Sequence, residues 1–185
     1  MLRDNHRFSI ICVCLMMLSS PCFASETPAK AEVTKSVSAQ KTKQENCWLE
    51  AGKTYRIDPW LLYSIAQHES GLKAHIVSKP NSDGSRDIGM MQINSSWLPS
   101  LKKMGFKERD LFDACTNIKI GAWILSGSIA RLGNSWRSVG AYNAGEKLTL
   151  KRERLRAKYA RNIYSLYNRN TQFRLPQATA QATTN

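Results

Sequence analysis

One glutamate stands out among the residues that could do chemistry. Glu69 follows Leu62, Ile65 and Ala66 at intervals of seven, four and three residues, which is the spacing of one helix face. The pattern places a carboxyl group on an apolar face near the C-terminal end of a helix, where burial and the helix dipole both disfavour its charge. Such a group stays protonated near neutral pH and suits acid catalysis at a glycosidic oxygen. The alternative is a glutamate in a frayed last turn that faces water.

The helix that must position Glu69 has recognisable boundaries. Asp58 is a favourable N-cap, Pro59 suits the first turn, and Gly71 is a favourable stop. Few segments elsewhere alternate as strands do, and apolar residues recur at helical spacing. We therefore expect a mainly α fold, with further helices near 48–55, 97–101, 116–132, 135–142 and 150–167 and a polar loop at 79–86.

The first 24 residues have the features of a secretory signal peptide. A basic head with Arg3 and Arg7 precedes an apolar run at 8–18 and small residues before an expected cut after Ala24. The run is short for a membrane span, so we expect no stable membrane insertion after cleavage. A retained anchor and a lipid-modified Cys22 are the alternatives.

Cleavage of this segment would leave only two of the cysteines in the mature chain. Three of the five leave with it, and Cys47 and Cys115 remain. Two cysteines in an exported chain usually form a disulfide; two buried free thiols are the alternative. Neither cysteine has the close His or Cys neighbours of a zinc site, so we expect no metal and no cofactor.

The net charge indicates a polyanionic partner. The chain carries 27 Lys and Arg against 14 Asp and Glu, a formal charge of +13. Export argues against nucleic acid and favours an anionic cell-wall polymer. The basic segment Lys147–Arg161 also permits a membrane-surface protein, but we interpret it as the solvated face of a helix packed through Ile163, Leu166 and Tyr167.

The chain divides into four parts by composition. We predict a signal peptide at 1–24, a flexible linker at 25–44, one folded domain at 45–170 and a low-complexity tail at 171–185. We expect a monomer.

Three short motifs occur in order along the predicted domain. They are Glu69-Ser70, the stretch Gly89–Asn94 (GMMQIN) and the stretch Ala141–Gly145 (AYNAG). Together they resemble the soluble lytic transglycosylase family, which has a goose-type lysozyme-like fold. The two retained cysteines make the chain similar to the small specialised transglycosylases of conjugation, secretion and pilus systems in Gram-negative bacteria.

The resemblance implies an activity. It is cleavage of the β-1,4 bond between N-acetylmuramic acid and N-acetylglucosamine in periplasmic peptidoglycan, with a 1,6-anhydromuramoyl product. Glu69 would be the sole catalytic acid and base, and components of such an apparatus would be possible partners. The resemblance assigns substrate-binding or positioning roles to the other motif residues: Ser70, Gly89, Met91, Gln92, Asn94, Tyr142 and Asn143.

Several of these roles have specific forms. Ser70 would orient Glu69, the Tyr142 hydroxyl would hold it in place, and Gln92 would bind an acetamido group. Met91 could instead be a core residue. Three tryptophans could stack on sugars but are interpreted as core: Trp97, Trp123 and Trp136.

Two other functions remain open from the sequence. Asp83 and Asp87 lie between the first two motifs, and a carboxylate there could activate water, which would make the protein a hydrolytic muramidase. The second is a non-catalytic peptidoglycan-binding assembly factor, against which the presence of Glu69 argues.

Overall fold

The computed structural model describes residues 43–172, which form six α-helices and a short β-hairpin. In chain order the elements are α1 (residues 43–55), α2 (Pro59–Ser70), β1 (Asp87–Ile88), β2 (Ile93–Asn94), the 3-10 turn η1 (Ser95–Trp97), α3 (Leu98–Lys103), the 3-10 turn η2 (Glu108–Phe112), α4 (Ala114–Leu132), α5 (Trp136–Ala144) and α6 (Leu150–Gln172). The predicted signal peptide lies outside the described residues, as do most of the predicted linker and tail. The mainly α fold class is confirmed.

The core forms where four helices meet. Helix α6 packs along α5 and α2, and α4 packs against α5. On α2 the predicted apolar face is fully buried at Leu62, Ile65 and Ala66. Burial of one such leucine or isoleucine stabilises the fold by about 1.5–3 kcal/mol. This face fixes the rotation of α2 about its axis and therefore the direction in which Glu69 points.

The ends of α2 follow from local sequence. Asp58 Oδ1 accepts a hydrogen bond from the Trp60 amide at 2.8 Å, Pro59 occupies the first turn, and Gly71 ends the helix in the left-handed conformation with φ of 61°. These boundaries agree with the prediction. Helix α4 begins in the same way, with Asp113 accepting from the amide of Thr116 at 2.8 Å.

Helix α6 is longer than expected and enters the predicted tail at 171–185. Its last turns are held against α2 by side chains: the Tyr167 hydroxyl donates to Asp58 Oδ2 at 2.5 Å, and Asn170 Nδ2 donates to Gln67 Oε1 at 2.9 Å. These tertiary contacts extend the helix past the end of its apolar pattern. At the other terminus, α1 already includes residues 43 and 44 of the predicted linker. Within residues 43–172, no helix combines the length and the apolar character that crossing a membrane requires.

A disulfide joins Cys47 on α1 to Cys115 in the first turn of α4, as the sequence predicted. Their Cα atoms are 5.3 Å apart, and 68 residues separate them in the chain. The bond therefore closes a long loop that contains α2, the hairpin and α3.

We expect the Cys47→Ser/Cys115→Ser double variant to lose about 4 kcal/mol of its free energy of unfolding, because the long loop restricts the unfolded chain. Urea denaturation measures the loss. The reduced wild type is the control, because it should unfold at the same urea concentration as the double variant. Equal urea midpoints for the variant and the oxidised wild type would contradict this account.

Candidate active site

Glu69 lies in a cleft of about 610 Å³ that crosses one side of the domain. One wall consists of the loop at 81–87 and the hairpin that follows it. The opposite wall comes from the end of α5 and the residues after it, 141–146, with Arg152 of α6 beyond. The last turn of α2 brings Glu69 between the two walls.

The surroundings of Glu69 raise its pKa from an ordinary 4.5 to about 7. Burial of the carboxyl group is the main cause, and the nearby carboxylate of Asp87 adds to it. A hydrogen bond from the Tyr159 hydroxyl to Glu69 Oε1, at 2.5 Å, acts in the opposite direction. The raised pKa that the sequence pattern predicted is therefore confirmed.

The tyrosine that holds Glu69 is Tyr159 and not Tyr142. The Tyr142 hydroxyl donates to the carbonyl oxygen of Met91 at 2.9 Å, so the predicted bond from Tyr142 to Glu69 is wrong. Tyr142 on α5 thus contacts the turn of the hairpin, whereas Tyr159 on α6 approaches Glu69 with its ring edge-on to His68. Tyr142 nevertheless lines the cleft beside Glu69.

The sequence contained a signal for Tyr159. It precedes the buried Ile163 by four residues and therefore lies on the same inward face of α6. The basic residues of this helix drew the interpretation toward its solvated face, and the hydroxyl on its buried face was missed.

We expect Tyr159→Phe to lower the cleavage rate by about 10- to 100-fold, the cost of losing one hydrogen bond to a charged group. The same bond lowers the pKa of Glu69, so its loss should move the alkaline limb of the pH–rate profile to higher pH. Measurement of kcat against pH checks both effects. Tyr164→Phe is the matched control, since Tyr164 is half-exposed on the same helix. An unshifted limb in Tyr159→Phe would contradict the assignment.

The second motif forms the turn of the hairpin. Gly89 has φ of 77° and Gln92 has φ of 50°, both in the left-handed region. A Cβ atom at Gly89 would lie 2.2 Å from Asn117 Nδ2 and 2.3 Å from the Leu111 carbonyl oxygen. Gly89 therefore allows the turn to pack against α4. A substrate-binding role would require Gly89 to line the cleft, and it does not.

A buried amide that sequence reasoning missed holds this turn. Asn117 is fully buried at the start of α4. Its Oδ1 accepts from the Met91 amide at 2.7 Å, and its Nδ2 donates to the carbonyl oxygens of Ile88 at 3.0 Å and Leu111 at 2.8 Å. One side chain thus satisfies three backbone groups of the segments that frame the cleft.

Ser70 ties the end of α2 to the same turn. Its hydroxyl donates to the Met90 carbonyl oxygen at 2.6 Å and accepts from the Lys73 amide at 3.1 Å. Ser70 is buried behind the cleft, so it contacts the frame of the site and not the space that a substrate would fill. This bond sets the position of the helix end that carries Glu69.

Met91 belongs to the core. Its side chain is fully buried and packs against Gly121, where an added Cβ would come within 2.5 Å of the Met91 sulfur. The predicted contact of this side chain with saccharide is therefore wrong, because the turn directs Met91 inward. Its carbonyl oxygen instead anchors Tyr142.

The remaining predicted residues lie along the cleft. Gln92 Nε2 donates to the Gly89 carbonyl oxygen at 2.8 Å, which fixes the amide plane and leaves Oε1 as an acceptor at the cleft wall. Asn94 also lines the wall, but its side chain bonds to Asp87 and caps η1. Asn143 is exposed on the opposite wall. Their roles toward a substrate remain predictions.

The two aspartates differ in their surroundings. Asp87 lines the cleft, and its Oδ1 accepts from Asn94 Nδ2 at 2.8 Å while its Oδ2 accepts from Asn81 Nδ2 at 3.2 Å. Asp83 is exposed at the rim, where Ser85 Oγ donates to it at 2.6 Å. Within residues 43–172, no group of three or more His, Cys, Asp and Glu side chains is arranged to hold a metal ion.

The predicted core tryptophans occupy different places. Trp97 is half-buried, lines the cleft and packs edge-on against Trp123, with ring centroids 5.3 Å apart. Among the described residues, Trp97 and Tyr142 are therefore the two aromatic residues that line the cleft and could contact a saccharide. Trp136 is 38% exposed at the start of α5 and lies outside the cleft.

Comparison with known proteins agrees with this arrangement. The family model "Transglycosylase SLT domain" matches residues 46–165. The invasion protein IagB of Salmonella typhimurium is 45% identical over 129 residues, which are 69% of this chain and 79% of IagB. Protein IpgF of Shigella flexneri is 41% identical over 125 residues, which are 67% of this chain and 80% of IpgF.

A solved structure has the same fold. It is an inactive glutamate-to-glutamine mutant of the lytic transglycosylase Slt from Pseudomonas aeruginosa, with a TM-score of 0.52 and 19% identity. The match covers 71% of this chain and only 25% of Slt. The predicted lysozyme-like fold is confirmed, and the chain belongs to the transglycosylase SLT domain family and is a lytic transglycosylase whose substrate is peptidoglycan.

Proposed function

We propose that the protein cleaves the β-1,4 bond between N-acetylmuramic acid and N-acetylglucosamine and leaves a 1,6-anhydromuramoyl end. The observation that carries the proposal is Glu69, a carboxyl group with a pKa of about 7 inside a cleft. Near neutral pH such a group is present in both protonated and ionised forms. It can therefore donate a proton and take one back within a single turnover.

The reaction proceeds in two proton transfers. Protonated Glu69 gives its proton to the glycosidic oxygen, the bond from that oxygen to the muramic C1 breaks, and N-acetylglucosamine leaves with a new hydroxyl. The Glu69 carboxylate then takes the proton of the muramic C6 hydroxyl while that oxygen bonds to C1. The anhydro ring closes, Glu69 is protonated again, and no water is consumed.

The neighbours of Glu69 support this cycle. Glu69 becomes negative after the first step, and the hydrogen bond from Tyr159 stabilises the charged form. Burial has the opposite effect and favours return of the proton. The two influences together keep the pKa of Glu69 near 7, so neither the protonated nor the ionised form is strongly favoured at neutral pH.

Hydrolysis is the second candidate, because Asp87 lies in the cleft and influences Glu69. Both oxygens of Asp87 accept hydrogen bonds, from Asn94 and Asn81, but each carboxylate oxygen has a second lone pair that can accept from a water molecule. The chemical identity of the released product therefore decides between the two reactions.

Mass spectrometry of the muropeptides released from purified peptidoglycan tests the proposal. Wild type and Asp87→Asn should both release anhydromuramoyl ends, and Glu69→Gln should release almost none. Reducing muramoyl ends that disappear in Asp87→Asn would identify a hydrolase. If Glu69→Gln cleared cell walls as well as the wild type does, the protein would be a non-catalytic binding factor.

We also propose that the protein acts in the periplasm and opens the wall locally for a secretion, conjugation or pilus apparatus. The features of a signal peptide before Ala24 support export, and a relative named an invasion protein supports the apparatus. Fractionation of expressing cells, with N-terminal sequencing, should find a periplasmic form that begins at Ser25. A full-length form retained in the cytoplasm or membrane would contradict it.

A further inference from the structure

A second concavity of about 670 Å³ lies between the start of α5 and the middle of α6. It shares no lining residue with the cleft that holds Glu69. We call it the α5/α6 groove and define it by its lining residues: Trp136, Arg137, Glu153, Arg156, Ala157, Ala160, Arg161 and Tyr164. None of these residues has a part in the proposed reaction.

The floor and walls of the groove can receive an apolar side chain. Ala157, Ala160, Arg161 and Tyr164 follow one another at helical spacing on one face of α6, and the two small alanines leave space above the helix. The walls are Trp136, 38% exposed, and Tyr164, 50% exposed, whose ring centroids are 5.0 Å apart. Exposed Trp, Tyr and Arg around a concave apolar centre are the residues that dominate binding energy in protein interfaces.

The rim of the groove carries excess positive charge. Among the lining residues, two exposed arginines, Arg137 and Arg161, accompany one glutamate, a net charge of +1, whereas Arg156 is only 1% exposed. Glu153 is already paired with Arg137 at 2.5 Å and with Arg156 at 2.7 Å. Arg161 has no acidic partner within residues 43–172, and the adjacent Lys158 has none there either.

We propose that the α5/α6 groove is a docking site for an acidic segment of a partner protein, which inserts an apolar side chain beside Trp136 and Tyr164. Its carboxylates would meet Arg161 and Lys158, and its apolar anchor would lie over Ala157 and Ala160.

The residues on either side of 43–172 in this sequence do not supply a complementary occupant. Residues 1–42 have five basic and three acidic side chains, a net charge of +2, and residues 173–185 have one arginine and no acid. A second copy carries the same +13 charge and would be repelled. A flat anionic membrane would reach the charged rim but not the floor of a groove, so the concave shape favours a protein segment.

Binding of a defined peptide to the purified protein tests the proposal. The probe is a short dye-labelled peptide of glutamates with one central phenylalanine, followed by fluorescence anisotropy. Two control peptides replace the phenylalanine by alanine or the glutamates by lysines. We expect saturable binding of the first peptide, and both replacements should weaken it.

Matched variants locate the site. Arg161→Glu and Trp136→Ala should each weaken binding by about tenfold or more, whereas Arg169→Glu, the same charge reversal at an exposed position on α6, should change it less than about twofold. Arg161 is exposed, so Arg161→Glu should remain folded, which circular dichroism verifies. It should also cleave isolated peptidoglycan at the wild-type rate, which separates failure of this proposal from failure of the proposed reaction.

Three results would overturn the docking site. The first is an equal loss in Arg161→Glu and Arg169→Glu, which would mean non-specific attraction to a basic protein. The second is binding to phosphatidylglycerol vesicles that depends on Trp136 and Arg161 while peptide binding does not. The third is competition for the peptide by soluble peptidoglycan fragments that persists in Glu69→Gln, which would make the groove a glycan site.

Discussion

Glu69→Gln is expected to lower the rate of glycan cleavage by at least about a thousandfold, because one residue supplies both the acid and the base. Glutamine keeps the size of the side chain and can still accept from the Tyr159 hydroxyl, but it has no proton to give at neutral pH. The loss should appear in kcat, with binding to peptidoglycan retained. Glu50→Gln is the matched control, since Glu50 is exposed on α1 and pairs with Lys119.

The same variant should change how stability depends on pH. The pKa of Glu69 is about 7 in the folded chain and 4.5 for an ordinary glutamate. Between these values the unfolded chain releases a proton that the folded chain keeps, so the wild type loses stability as pH rises through this window. The total approaches about 3 kcal/mol at most.

Because glutamine does not titrate, Glu69→Gln should gain stability relative to wild type as pH rises from about 5 to about 8. Urea unfolding at several pH values measures the difference, and kcat of the wild type should fall as pH rises above about 7. Parallel stability profiles for the two proteins would contradict the burial of a protonated Glu69.

The second large effect is expected for Asn117→Ala, which should lose about 3–5 kcal/mol of the free energy of unfolding. Three buried backbone groups, at Ile88, Met91 and Leu111, depend on this amide. Each costs about 1–3 kcal/mol when left without a partner. The turn that carries Gln92 and anchors Tyr142 would also loosen, so KM should rise as stability falls.

Urea denaturation and peptidoglycan turnover measure the two effects of Asn117→Ala. Asn162→Ala is the control, because Asn162 is exposed on α6, and it should stay within about 0.5 kcal/mol of wild type. A normal urea midpoint in Asn117→Ala would show that the turn is held by other contacts.

The sequence predicted the features that local chemistry determines. Asp58, Pro59 and Gly71 fix the ends of α2 through contacts within a few residues, and periodicity fixes its buried face. The position of Glu69 and the direction of its pKa shift follow from these alone. Pairing of Cys47 with Cys115 followed from the expectation that the other three cysteines leave with a signal peptide.

The sequence did not predict contacts between residues that are far apart in the chain. Tyr159 meets Glu69 from 90 residues away, and Asn117 meets Met91 from 26 residues away. Helix and strand periodicity relate residues within one element, so no sequence pattern connects residues at these separations. The sequence analysis proposed Tyr142 as the residue that holds Glu69, and the packing of α6 against α2 places Tyr159 there instead.

The turn of the hairpin shows the same limit at short range. Met91 and Gln92 are neighbours in one motif, yet one is buried in the core and the other lines the cleft. The positive φ of Gln92 separates them, and it arises because Asn117 and Gly89 fold the turn against α4. A motif identifies residues that belong together but does not say which of them faces the ligand.

Cleavage of purified peptidoglycan in water enriched in heavy oxygen, followed by mass spectrometry of the released muropeptides, tests the proposed reaction directly. Attack of the C6 hydroxyl on C1 predicts muramoyl ends that are lighter than a reducing end by one water and that carry no heavy oxygen. Reducing muramoyl ends that contain heavy oxygen would contradict it, since water would then be the nucleophile and a second group would have to activate it.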